Sequence, residues 1–239
     1  MEPIASDLPV EHPVFARLDN SQFDEIAALL ADDPALAPLR DVKGVSLLMR
    51  ALYAGARDLA QTIMGRLKAL DVFEAAAMGQ IGALRRILAQ DPAAKGARSA
   101  DGFTALHFAC YFNREDAARA LIAAGADPNA KAENAMAVAP LHSAIAARAA
   151  EILDLLLAVG ADANARQEGG WTGLMGAAKA GQTRLCRNLL KAGADPDLVA
   201  DSGENAADLA RAAGHDALAD ELDAALLVKT GGESGESAP

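Results

Sequence analysis

Residues 101–130, DGFTALHFACYFNREDAARALIAAGADPNA, form a complete structural unit, and imperfect copies of it run through most of the chain. Asp101-Gly102 signals a tight turn. Thr104 is placed to cap the helix that follows, because its hydroxyl can accept from an otherwise unpaired backbone N–H. Leu106, Ala109 and Cys110 fall on the buried side of that helix, and Asn113 can take the left-handed conformation that stops it. A second helix carries Ala117, Ala118, Leu121 and Ile122 at three-to-four-residue spacing, one apolar stripe. Gly125 ends it where a positive φ is usual, and Asp127-Pro128-Asn129 turns the chain again.

A unit of this size cannot bury its own apolar face, so it must stack on neighbours like itself. APLHSAIAARAAEILDLLLAVGADANA (139–165) and TGLMGAAKAGQTRLCRNLLKAGADPD (172–197) are copies, and NAADLARAAGHDALADELDAAL (205–226) is a weaker one. The residue after the capping position falls at Ala105, Pro140, Gly173 and Ala206, in steps of 35, 33 and 33 residues. Three G-A-D copies, at Gly125, Gly160 and Gly193, and two L-H copies, at His107 and His142, keep register. This pattern resembles the ankyrin repeat. The resemblance implies an all-α solenoid of about seven helix-turn-helix units with short projecting turns. It also implies non-catalytic protein binding, and histidines that support the turns by hydrogen bonds.

The chain has 239 residues, of which 52% are hydrophobic but only 4% aromatic. That balance suits closely packed short helices better than a sheet-based core. A formal charge of −11 argues against nucleic acid, whose phosphates are held by released counterions and basic side chains. Solubility, and then a basic partner, are the better readings of that charge. No apolar run approaches the ~20 residues that cross a bilayer, so no membrane association is expected. The start, MEPIASDLPVEHPVF, lacks a positively charged secretory leader. Cys110 and Cys186 occupy apolar helical slots, which predicts buried free thiols and a cytoplasmic protein, monomeric or weakly self-associating.

Residues 1–12 read as a loose leader. Residues 13–100 read as three degenerate repeats, 101–201 as three well-formed ones, 202–228 as a polar terminal cap and 229–239 as a disordered tail. In the first part the ruler falls at Pro13, Leu47 and Asp71, in steps of 34, 24 and then 34 residues to Ala105. The second step is nine residues short of the 33-residue period, so one projecting turn is expected to be missing, with a tight link near Lys68–Asp71.

Catalytic and metal chemistry find no support in the motifs. The histidines lack metal-ligand spacing and no Cys-x-x-Cys is present. EGGWTG (168–173) lacks both the lysine of a P-loop and the spacing of a dinucleotide fingerprint. Gly170 is read as turning the chain, Trp171 as projecting and Thr172 as capping. No cofactor is expected. An enzyme or small-ligand receptor in the irregular 40–100 region is the competing reading, but that stretch offers Arg50, Arg57, Arg66, Arg85 and Arg86 without acids arranged to work with them.

The aromatics carry the rest. Phe15, Phe23, Phe73 and Phe108 fit apolar stripes and are assigned to the core. Phe103 and Trp171 follow turn glycines, with Val45 and Val138 in the same slot of other repeats. Tyr53, Tyr111 and Phe112 end first helices. In ankyrin repeats these slots face the concave surface, so the resemblance implies a partner-binding set of Tyr53, Phe103, Tyr111, Phe112, Val138, Trp171 and Lys179. Trp171, Phe103, Tyr111 and Phe112 are expected to line one continuous face. The alternative for all of them is packing between repeats.

Overall fold

The computed structural model describes residues 11–233. Among them are seven antiparallel helix pairs and no strand longer than an isolated bridge. The pairs are α1 (Pro13–Asp19) with α2 (Phe23–Asp32), α3 (Leu47–Tyr53) with α4 (Arg57–Met64), and α5 (Val72–Met78) with α6 (Ile81–Gln90). They continue with α7 (Ala105–Tyr111) and α8 (Glu115–Ala123), α9 (Pro140–Ala146) and α10 (Ala150–Ala158), α11 (Gly173–Lys179) and α12 (Thr183–Lys191), and α13 (Ala206–Ala212) and α14 (Asp216–Glu233). First helices pack in one row from α1 to α13; behind them α2 packs on α4, and α6 to α12 form a second row.

The local reasons are legible in each unit. The residue between the two helices is left-handed in every pair, whether glycine or not: Ser21, Gly55, Gly79, Asn113, Arg148, Gly181 and Gly214 all have positive φ. In the last repeat His215 follows this slot, which Gly214 fills. Gly125, Gly160 and Gly193 hold φ of 82°, 92° and 89° as helix-ending residues. Ser46 and Thr172 cap through their hydroxyls, which accept from Met49 and Met175 N–H at 3.3 and 3.4 Å. Thr104 does not: its hydroxyl lies 2.8 Å from His107 Nδ1, which also accepts the Thr104 N–H at 3.2 Å. The ring closes this helix start in place of a carboxylate.

Regular repeats are also tied to one another. Projecting turns meet through backbone bonds, Glu133 N–H to Gly102 O at 2.8 Å, Glu168 N–H to Met136 O at 3.0 Å and Asp201 N–H to Gly169 O at 2.9 Å. At the ends of the second helices, Asn129 accepts from Asp162 N–H (2.8 Å) and donates to Gly160 O (3.0 Å). Asn164 does the same with Asp195 N–H (2.7 Å) and Gly193 O (3.2 Å). The asparagine two residues after the first two G-A-D aspartates, Asp127 and Asp162, is thus an inter-repeat staple, a role the sequence reading missed; the third copy has Asp197 in that place.

The irregular part departs where the spacing said it would. Turns project at 41–45, 99–103, 132–138, 167–171 and 200–204, each closed by a backbone bond between its ends. No such bond closes the segment between α4 and α5, which runs as a short link over 65–71. Asp71 is the cap of α5, with a reciprocal pair of bonds to Glu74, and the helix begins at Val72. The step from α3 to α5 is therefore 25 residues and the deficit eight, one less than the ruler on Asp71 implied.

The core divides near this junction. One cluster runs from Val72 to Leu222, and another gathers α1–α4 together with Ala77 and Phe108. Leu70 and Phe73 touch both. Within the N-terminal cluster Arg50 holds the first two repeats together, reaching Asp41 and Asp19 at 2.5 Å each and lying 5.8 Å from the Phe15 ring centroid. Burial raises the Asp41 carboxyl, but Arg50 and the Val45 and Lys43 N–H groups outweigh it and hold the pKa below the usual range.

At the termini, residues 1–10 of the expected leader lie outside the described residues, while His12 caps α1 by accepting from Val14 N–H at 3.2 Å. The expected tail is corrected in part: residues 229–233 continue α14, and 234–239 lie outside the described residues. Cys110 and Cys186 are buried and unbridged, as their slots required. Burial pushes both thiols up, Cys186 to about 12.

Candidate partner-binding face

First helices begin directly after the turns, α7 at Ala105 after the turn at 99–103, and the rings gather on α3, α5, α7 and that turn. Phe108 is the buried centre, 3% exposed. Around it stand Phe103 at 5.7 Å, Phe73 at 6.0 Å and Tyr53 at 6.5 Å between centroids, the first two edge-on. Phe112 stacks on Tyr53 at 6.4 Å and 20°, and Tyr111 meets Phe112 edge-on at 5.2 Å. Edge and offset contacts of this kind are each worth about 1 kcal/mol beyond area burial.

Tyr53 reaches over the third repeat. Its hydroxyl donates to Asp101 of the turn at 99–103, 48 residues away. Burial and the Asp101 carboxylate both push the phenol above its usual range, so it stays protonated. The contact is possible because no projecting turn stands between.

Of the seven residues read from the sequence as a partner-binding set, Tyr53, Phe103, Tyr111 and Phe112 belong to this group. Tyr53 is 42% exposed and Tyr111 51%, whereas Phe103 and Phe112 are half-buried and pack against the N-terminal core. Val138 is half-buried, and its carbonyl receives the His107 Nε2–H at 2.9 Å. Trp171 does not project freely. It is half-buried against the C-terminal core and makes no ring contact with the others among the described residues. Exposed Lys179 lies 5.0 Å from its ring centroid. The expected single face is thus one connected group of rings and a separate Trp171–Lys179 spot.

Met136, which the sequence reading passed over, is 47% exposed. With Tyr53, Phe103, Tyr111 and Ser143 it lines a hollow of about 350 Å³. A larger one, about 540 Å³, lies on the other side of the tyrosines against Asn113, Arg114 and Ala146. The one available signal for Met136 was its place at the tip of the longest turn, an exposed position in any repeat.

His107 links three parts of this face. Two hydrogens point at Nδ1, so Nε2 carries the ring proton and donates it to Val138 of the next turn. Burial, reinforced by Arg98 and His142, lowers its pKa to about 4 against the Val138 bond, which raises it. Burial lowers His142 too. Because the folded pKa lies below the unfolded ~6.5, the unfolded chain binds more protons in acid. The His107 contribution is complete above about pH 6.5 and declines toward pH 4, by roughly 3 kcal/mol in total. Proton NMR of the ring is expected to show no titration until the pH falls near 4; a midpoint at 6 to 7 would show a solvated ring.

A family model, Ankyrin repeats, matches three overlapping spans of the chain, 48–132, 72–167 and 141–225. The chain belongs to the ankyrin repeat family. No curated protein matches it. Ankyrin repeats are generally protein-interaction modules and typically non-catalytic, which bounds what this face can do. No cluster of His, Cys, Asp or Glu suited to a metal occurs among the described residues. No described helix is long and apolar enough to cross a membrane. The first ankyrin match begins at residue 48, inside α3, so the helices before it follow the architecture with the family signature worn down.

Proposed function

We propose that this ankyrin solenoid is a non-catalytic scaffold or regulatory module that binds another protein through the aromatic face of its central repeats. The observation that carries this reading is the exposure of Tyr53 and Tyr111, with Met136, around an apolar hollow. Their rings are held in place by Phe108 and Phe112, so a partner meets little ordering cost. Large rings left in water and rimmed by polar groups are frequent interface anchors. Phe103 and Phe108 supply the floor, Phe112 and Val138 pack beside it, and Trp171 with Lys179 forms a second contact further along the repeats. A monomer in the cytoplasm suits two buried free thiols and a strongly acidic surface.

The partner is recovered by cross-linked affinity capture and the complex is then titrated with purified variants. Tyr111→Ala is expected to weaken binding about thirtyfold, some 2 kcal/mol, and to leave the melting temperature nearly unchanged. Trp171→Ala is expected to lower binding less and the melting temperature more, because that ring lies on the C-terminal core. Unchanged affinity in a Tyr53→Ala, Tyr111→Ala double variant would remove the face from consideration.

A further inference from the structure

The two hollows beside the exposed tyrosines share Tyr53 and Tyr111 but differ in charge. The smaller has Phe103, Phe108 and Met136 in its walls, and its charged residue is Asp101, whose carboxylate accepts the hydroxyls of Tyr53 and Ser99. The larger is lined by Arg57 and Arg114 and, among the described residues, by no acid. In a chain of formal charge −11 this hollow is a local reversal of sign.

Both arginines have donors to give. The Arg57 side chain is exposed and has no hydrogen bond or ion pair among the described residues. Arg114 donates its Nε–H to Ala77 O at 2.9 Å, and its Cδ lies 3.2 Å from where a Cβ at Gly79 would stand, so its stem is held in place. The two terminal nitrogens of Arg114 have no protein partner among the described residues, and neither is buried. A guanidinium group with open N–H groups pairs best with a carboxylate, whose two oxygens match its planar fork.

We propose that the protein segment seated on this face is acidic. Its apolar side chain enters the hollow of Phe103, Phe108 and Met136, and its carboxylates reach Arg57 and Arg114 across the two tyrosines. This rests on the partner-binding reading above and gives the partner its chemistry. Asp101 fixes the direction, because it repels a carboxylate at the apolar end. The hollows flank the same rings, so an extended segment at ~3.3 Å per residue spans them in about two to three residues. The negative charge of the rest of the chain is largely screened beyond ~8 Å at physiological ionic strength, whereas pairs in contact are not.

The test is NMR titration of the full chain with the acetylated and amidated peptides Phe-Gly-Glu-Glu, Phe-Gly-Gln-Gln and Phe-Gly-Lys-Lys. The glutamate peptide is expected to bind at least about tenfold more tightly than the glutamine peptide, and the lysine peptide most weakly. Arg57→Glu is expected to reverse that order at an unchanged melting temperature, since an acid is favoured in the first turn of α4. Ala146→Glu puts an acid into the same hollow and leaves both arginines in place. It is expected to weaken the glutamate peptide about tenfold and decides the matter if Arg57→Glu does not fold. The Tyr53→Ala, Tyr111→Ala double variant is expected to lose the glutamate and glutamine peptides alike. Equal binding of these two peptides, both lost in the tyrosine variant, would reject the acidic segment and keep the face. No saturable binding of the glutamate peptide, or an affinity for it unchanged in Arg57→Glu or Ala146→Glu, would also reject it, leaving the face to the partner titration. Sedimentation is expected to show a single chain; a self-complex dissociated by the glutamate peptide would make a second copy the occupant and overturn the proposal.

Discussion

Phe108→Ala is expected to lower stability by about 4 kcal/mol, the range for a fully buried ring whose cavity cannot collapse. Phe108 sits on α7 yet belongs to the N-terminal core, and its ring contacts are Tyr53, Phe73 and Phe103. Those neighbours come from three different repeats, so no single element can move in to fill the space. A solenoid transmits stability mainly between adjacent units. Loss of this ring therefore weakens the coupling between the segment α1–α4 and the rest. Denaturant unfolding followed by hydrogen exchange is expected to show residues 13–64 losing protection before 105–222, where the unaltered protein loses both together. A loss below about 1 kcal/mol, or uniform loss of protection, would show that the two core clusters are joined elsewhere.

Gly102→Ala is expected to cost about 4 kcal/mol as well, for a different reason. Gly102 has φ of 86°, a region that costs an L-residue about 1–2 kcal/mol. An alanine Cβ there would also stand 2.5 Å from the Glu133 carbonyl oxygen and 2.7 Å from its carbon. Backbone cannot rotate aside as a side chain does, so the turns at 99–103 and 132–138 must separate, at a typical overpacking cost of about 1–3 kcal/mol. The Glu133 N–H to Gly102 O bond goes with them. Gly160→Ala is the control, with φ of 92° and nothing within 4 Å of an added Cβ, so only the conformational penalty applies there. Equal losses in the two variants, measured by chemical denaturation, would mean that turn-to-turn contact contributes nothing.

The tyrosine face and the ion pairs of the region 40–100 stand in different relations to the sequence. Tyr53, Tyr111 and Phe112 could be placed on one face because the repeat period puts them at equivalent points of α3 and α7. That Trp171 lies half-buried on the C-terminal core, with Lys179 over its ring, could not be read from its slot. An added Cβ at Gly173 would lie 2.6 Å from Leu141 Cδ2, while one at Gly176 meets nothing within 4 Å. The period gives a residue its slot but not the size of its neighbours. For the region 40–100 the sequence showed arginines without acids arranged to work with them. Folding brings Arg40 to Asp71 and Arg98 to Glu133, pairings across separations that no local motif reports.

What the sequence by itself determined is most of what is set within one repeat, the Thr104–His107 closure and the Asn129 and Asn164 staples excepted. Helix lengths, caps, left-handed stops and the apolar stripes follow from short-range sterics and hydrogen bonding. The absent turn follows from counting residues between capping positions. What only the tertiary structure decided lies at the place where the repetition fails. With one turn missing, Tyr53 reaches Asp101, Gly44 meets Ala100, and Phe108 is taken into the core of the preceding units. These contacts depend on how far adjacent helix pairs rotate when the element between them is shortened. That angle is the outcome of packing across three repeats at once, and no residue or period encodes it alone.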